Sequence, residues 1–142
     1  MAFSGERLRD ARTAAGISQP ELAATVGTTQ GRISDWERGR AIPRARYIPK
    51  LAAALGMDAL DFSGADPDRP ELEALRLAAG LSMEAIAAAA GTTTTRYRRL
   101  ERGELRHDLE PELIESLAVV LAVPAVVVRR AAELARITAP RR

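Results

Sequence analysis

The sequence predicts an all-α fold built as two five-helix units in series, and three observations predict it. Residues 8–39 and 72–103 align without a gap at an offset of 64, with 15 identities in 32 positions, where chance matching gives about two. Apolar residues recur at helical spacing between glycine stops and serine or threonine starts. Apolar residues make up 46% of the chain and aromatic residues only 4%, which suits small, tightly packed helices rich in alanine. The 142 residues then divide into units of roughly 65 residues, a size that folds alone when its core is well filled.

The first helix is expected over residues 6–15, with Leu8, Ala11 and Ala15 on one face. Gly16 stops it in the left-handed conformation. Ser18 caps the second helix, and Glu21 three residues later completes a capping box. Pro20 falls in the first turn, where its missing N–H costs nothing. Leu22, Ala23 and Val26 face inward, and Gly27 makes the turn because a residue without Cβ takes positive φ freely. The third helix runs near 29–38, with Ile33 and Trp36 inward and Gly39 after its end. The fourth, near 46–55, uses Ile48, Leu51, Ala52 and Leu55, and a short fifth lies at 58–62.

Residues 63–69 (SGADPDR) read as an exposed linker between a unit at 1–62 and a unit at 70–142. Fully extended, it spans at most about 25 Å. The second unit restarts at Pro70, a residue suited to a first turn, and repeats the order of five helices. Residues 51–57 align best with 117–123, so two extra residues fall between Gly103 and the next helix. The last helix, near 124–138, is longer than its counterpart and leads into the basic pair Arg141 and Arg142. Its Val126, Val127, Ala131, Leu134 and Ile137 read as core or inter-domain packing, with a dimer seam as the alternative.

Several chemistries are disfavoured at once. There is no cysteine, and His107 is the single histidine, which leaves no disulfide and no cysteine- or histidine-based metal site. His107 follows the loop after the third helix and is expected at the surface. No Gly-rich phosphate loop or nucleophile–histidine pair is evident, so neither enzyme activity nor a cofactor is expected. The longest apolar run, 117–128, is twelve residues and contains Pro124, against about 20 for a membrane span. The N-terminus has no apolar signal core. A soluble, cytoplasmic protein is expected. Net charge is +2, and all cations but Lys50 are arginine. Arginine forks suit phosphate and guanine, although genome base composition explains the bias equally well.

The second and third helices with their tight turn form a helix-turn-helix, a motif that lays its second helix in the DNA major groove. Ala23 sits at the crossing, where a larger side chain would push the helices apart. Val26, Ile33 and Trp36 close the core behind it. The outer face of the third helix is left with Thr29, Gln30, Gly31, Arg32, Ser34 and Asp35, the composition of a base-reading surface. The run from Gln19 to Gly39, closed by WERG-x-x-x-P, resembles the lambda-repressor-like family of bacterial and phage repressors, also called the xenobiotic-response-element type. The resemblance covers both units, more closely the first. It implies two tandem lambda-repressor-like helix-turn-helix domains. It also implies phosphate and base contacts from Gln19, Thr28, Thr29, Gln30, Gly31 and Asp35. Gln30 can pair bidentately with adenine. Gly31 stands where a polar reader is common, and Arg32 is the compensating contact. Arg40, Arg44 and Arg46 would lie along the backbone, with ordinary solvated charge as the bland alternative.

The second unit keeps the scaffold and rewrites the surface. Gln19 becomes Met83, Gln30 becomes Thr94 and Asp35 becomes Arg99. Thr93, Thr94 and Thr95 can touch thymine methyls and phosphates, while Arg96, Arg98 and Arg99 supply charge. This suggests a second DNA-binding unit of different preference; a unit kept only for packing is the alternative. Trp36, Tyr97 and Leu100 read as core. Arg12 and Glu37 recur as Arg76 and Glu101. Because the first helix and the end of the third approach each other in this family, structural ion pairs are expected rather than acid–base chemistry.

The sequence therefore predicts a sequence-specific regulator of transcription, a repressor, with double-stranded DNA as its partner and a place at the nucleoid. A homodimer partner or a regulatory protein is left open. No small-molecule ligand is evident, so control is assigned to concentration, a partner or degradation. The competing reading is an antitoxin-like or partner-binding protein whose second unit is an interaction module. With both units on one chain, a single molecule is expected to cover a long, asymmetric site.

Overall fold

The computed structural model describes residues 3–62, 66, 68–105 and 107–140. All regular structure among them is helical. The first unit comprises α1 (Gly5–Ala14), α2 (Gln19–Val26), α3 (Gln30–Glu37), a single 3-10 turn (Ala45–Tyr47), α4 (Ile48–Ala54) and α5 (Ala59–Phe62). The second comprises α6 (Leu72–Ala78), α7 (Met83–Ala90), α8 (Thr94–Glu101), α9 (Pro111–Leu121) and α10 (Ala125–Thr138). No single helix among the described residues is long and apolar enough to cross a membrane.

Local chemistry sets the boundaries. The Ser18 Oγ accepts the Glu21 N–H at 3.2 Å, and its hydroxyl donates to the Glu21 carboxylate at 3.1 Å. The Thr29 Oγ1 caps α3 by accepting the Arg32 N–H at 3.3 Å. Ser82 and Thr93 do the same for α7 and α8. Gly27 and Gly91 take the left-handed conformation, with φ of 78° and 74°, at the two tight turns. Pro70 does not enter a first turn. It is buried ahead of Glu71, the residue that precedes α6.

Each unit has its own core. In the first, Leu8, Leu22, Ile33, Ile48 and Leu51 are fully enclosed, and Trp36 packs on Tyr47 with ring centroids 5.3 Å apart. In the second, Ile86, Tyr97, Leu117 and Val128 fill the equivalent volume. The inward stripe of α10 is Val128, Ala131 and Ala132. Val127 and Leu134 are half-buried, while Val126 and Ile137 are exposed, so only part of the expected apolar set on this helix faces inward.

The cores interlock. Leu77 of α6 sits in the core of the first unit, and Leu60 of α5 packs against the core of the second. α6 lies against the 3-10 turn, α4 and α5. Most of the expected linker at 63–69 falls outside the described residues; Asp66, Asp68 and Arg69 are exposed.

One polar device recurs in both units. Arg12 Nε and Nη2 donate to the two carboxylate oxygens of Glu37, each at 2.9 Å, and Nη1 donates to the Ile17 carbonyl at 2.9 Å. Arg76 repeats this with Glu101 at 3.1 Å and with the Leu81 carbonyl at 3.0 Å. The hydrogen bond to Glu37 raises the Arg12 pKa above its usual value. In the second unit burial pushes the Glu101 carboxyl up, against the pull of Arg76.

Removing one partner of a buried pair strands the other charge. Glu37→Ala is therefore expected to cost about 3–5 kcal/mol of stability in urea unfolding, and the double replacement Arg12→Met, Glu37→Leu should recover most of it. An unchanged midpoint for Glu37→Ala would rule out the pair as a structural element.

Candidate nucleic-acid interface

The face of α3 is set by its burial pattern. Ile33, Trp36 and Glu37 are buried, which turns Thr29, Gln30, Gly31 and Arg32 to solvent. Gly31 meets open space: a Cβ there would find only the Thr29 hydroxyl, at 4.0 Å. Asp35 is half-buried, and its carbonyl accepts the Arg40 N–H at 2.9 Å, closing the turn after α3. Gln19, at the start of α2, is half-buried. The Thr28 Oγ1 is buried with no hydrogen-bond partner among the described residues.

The flanking cations differ in their freedom. Arg40 and Arg44 are exposed. Arg46 is folded onto Tyr47: its Nη2 donates to the phenol oxygen at 3.1 Å and its guanidinium lies 4.9 Å from the ring centroid. That hydrogen bond pulls the Tyr47 phenol below its usual pKa. A shallow groove of about 280 Å³ brings Arg32, Asp35, Ile42, Arg44 and Tyr47 to one surface. Ile42 is 60% exposed there. The sequence reading passed over it, although an isoleucine between arginines in a polar loop is a visible signal. It offers an apolar contact beside two cations.

The second unit presents a different edge. Thr93 and Thr95 are exposed, Thr94 and Arg98 half-buried, and Arg99 exposed. Arg96, read from sequence as charge for phosphate, is engaged: its Nη2 donates to both carboxylate oxygens of Glu110 at 2.6 and 2.7 Å. The alignment that pairs Leu51 with Leu117 also pairs Arg44 with Glu110 and Arg46 with Glu112. Two cations that follow α3 in the first unit are thus carboxylates in the second. This reversal was readable in the sequence once the two-residue insertion had been placed.

Two family models match in series, one described as helix-turn-helix over residues 8–62 and one as a helix-turn-helix domain over residues 70–138. The chain belongs to the helix-turn-helix family, in its lambda-repressor-like form. It is similar to multiprotein-bridging factor 1 of Candida albicans, with 40% identity over 53 residues, 37% of this chain and 35% of that protein. It is similar to human endothelial differentiation-related factor 1, with 32% identity over 66 residues, 46% of this chain and 43% of that protein. A third relative is the SPbeta prophage-derived uncharacterized HTH-type transcriptional regulator YonR of Bacillus subtilis, 38% identical over 53 residues, 37% of this chain and 49% of that protein. The chain therefore spans less than half the length of each of these relatives. No solved structure gives a significant match.

Within this family scaffold the units share caps, turns and ion pair, and differ in the charge that faces outward. No group of three metal-ligating side chains comes together among the described residues.

Arg96 holds the Glu110 carboxyl below the usual carboxylate range. A depressed folded-state pKa contributes stability above the unfolded value and loses it as pH falls through the folded value. An NMR titration should place the Glu110 midpoint below the model-peptide value of about 4.3, and Arg96→Ala should raise it toward that value. A wild-type midpoint at or above ordinary glutamate would show that the pair does not hold in solution.

Proposed function

We propose that this protein is a sequence-specific double-stranded-DNA-binding transcription regulator, acting as a repressor, whose α3 reads the major groove. The observation that carries this reading is the outer face of α3. A capped, exposed helix start presents Thr29, Gln30 and Arg32, with Arg44 on the same surface and Arg40 exposed just beyond the helix. Helix-turn-helix units dock in this way, with the N-terminal residues of the second helix against base edges. Gln30 suits adenine, Arg32 suits guanine or phosphate, and Arg40 and Arg44 suit phosphates. The printed description of YonR as an HTH-type transcriptional regulator supports the assignment. Repression needs only occupancy of a site, and such occupancy places the protein at the nucleoid in the cytoplasm.

The second unit contributes to DNA contact through Thr95, Arg98 and Arg99, and less than the first. Glu110 and Glu112 stand where cations would meet phosphate, and Glu110 neutralises Arg96. The same carboxylates favour a second reading, in which this unit binds a protein partner. The name multiprotein-bridging factor, borne by one relative, fits that reading.

Binding titrations on specific and random duplexes separate these roles. Gln30→Ala should weaken specific binding by about 1–3 kcal/mol and relax preference at one base pair. Arg44→Ala should weaken binding to every sequence and lower the salt slope by about one. Equal losses on specific and random duplexes for both variants would defeat α3 as the reader. The double replacement Arg98→Ala, Arg99→Ala should shorten the footprint while the part covered by α3 stays protected. An unchanged footprint and affinity would assign the second unit to a partner.

A further inference from the structure

We infer that the second unit carries a binding site for a small apolar carboxylate, such as an aromatic or branched acid, in a cavity between the end of α8, the loop before α9, and α10. The cavity measures about 320 Å³, within the range of small-ligand pockets. Its walls include Leu100, Leu105, Leu109, Ile114 and Ala132. They offer an apolar ligand body the environment it prefers to water.

The first unit shows why the space is open. There Trp36 packs on Tyr47 between the end of α3 and α4, the ring planes tilted by 50°. At the position aligned with Trp36 the second unit has Leu100. The Trp36 ring has become Leu100, which lines the cavity, and the connecting loop has gained two residues. The far wall is α10, which has no counterpart of its length in the first unit. Its backbone backs directly onto Gly103: a Cβ at that glycine would lie within 2.4 Å of Ala135 backbone atoms.

The charges around the cavity give the chemistry of the ligand's head. Arg136 is shared between Asp108 and Glu133, each at 3.5 Å. Arg129 also lines the cavity and is exposed, and it makes no ion pair among the described residues. An unpaired guanidinium beside an apolar cavity selects a carboxylate, which it can grip with two parallel hydrogen bonds. The loop that borders the cavity also carries Glu110, the residue that holds Arg96 on α8. The binding itself requires no DNA, so its test is independent of the regulatory reading.

The test uses indole-3-acetate and 3-methylindole, which share an apolar body and differ in the carboxylate, titrated into the isotopically labelled full chain without DNA. Indole-3-acetate should give saturating amide shifts confined to residues 100–114 and 128–136. 3-Methylindole should bind about tenfold more weakly, since it lacks the charge-assisted pair with Arg129. Arg129→Gln, a change at an exposed position, should remove that difference and leave the fold unaltered. Leu100→Trp, which installs the residue of the first unit, should abolish binding of both compounds. Absence of saturating shifts, shifts centred elsewhere, or equal binding of the two compounds to the wild-type chain would overturn the proposal. Retention of the carboxylate preference in Arg129→Gln would do the same, whether or not Leu100→Trp folds.

Discussion

The position of α3 depends on one buried contact. Arg12, on α1, spends all its near donors inward: two on the Glu37 carboxylate and one on the Ile17 carbonyl. Glu37 closes α3, and Ile17 lies in the connection between α1 and α2. Three segments that are separate in sequence are therefore tied at one guanidinium. The planar fork is what makes this possible, because its donors point in fixed directions and lysine offers no such geometry. A pair of this kind contributes little net stability against an apolar replacement. Its value is angular. Apolar packing alone would let α3 roll on Leu22 and Val26, whereas the clamp fixes which residues of α3 face out. The recurrence of the whole arrangement at Arg76, Glu101 and Leu81 shows the same constraint met twice with different core residues around it: Ile33 and Trp36 in one unit, Tyr97 and Leu100 in the other.

With the scaffold held in this way, the surface is free to change, and the two units show how far. At Arg44 and Arg46 the first unit places cations after α3; the second places Glu110 and Glu112. Against a polyanion each such exchange replaces an attraction by a repulsion. The Arg96–Glu110 pair adds to this by covering one of the cations on α8. Glu110 ends the loop that borders the apolar cavity, and Glu112 lies in the first turn of α9 that follows it. In the second unit, loss of positive charge and gain of enclosed volume thus arise from one stretch of chain.

Much of this was legible in the sequence, for identifiable reasons. Caps, left-handed glycines and the heptad-like spacing of Leu22, Ala23 and Val26 act over a few residues, so the order of helices could be read directly. The Arg–Glu pairs were legible because both partners recur at a common offset. The carbonyl leg of the clamp was not, since any residue supplies a carbonyl and Ile17 carries no mark of its role. The cavity was equally hidden: it follows from what Leu100 fails to fill, and volume is a property of several elements together. The role of Pro70 was misread because its buried ring packs ahead of the helix, a tertiary effect that the first-turn preference does not contain.

The relation of the two units is set by packing rather than by linker reach. The decisive residues lie on α6. Thr13 and Asp10, exposed on α1, correspond to Leu77 and Ala74, which are buried. Gly16 stands in open space, whereas a Cβ on its counterpart Gly80 would lie 2.9 Å from the Pro49 ring. One face of α6 has therefore become apolar and close-fitting, and Leu77 enters the neighbouring core. Burial of a leucine contributes about 1.5–3 kcal/mol, enough with Leu60 acting reciprocally to hold the units at one spacing. A freely jointed pair would sample many separations, and its gain from having two sites on one chain would be set by linker length. A packed pair offers DNA a single separation. The distance between the exposed faces of α3 and α8 is then a property of the α6 interface, and a change such as Leu77→Asp would act on that distance without altering either face.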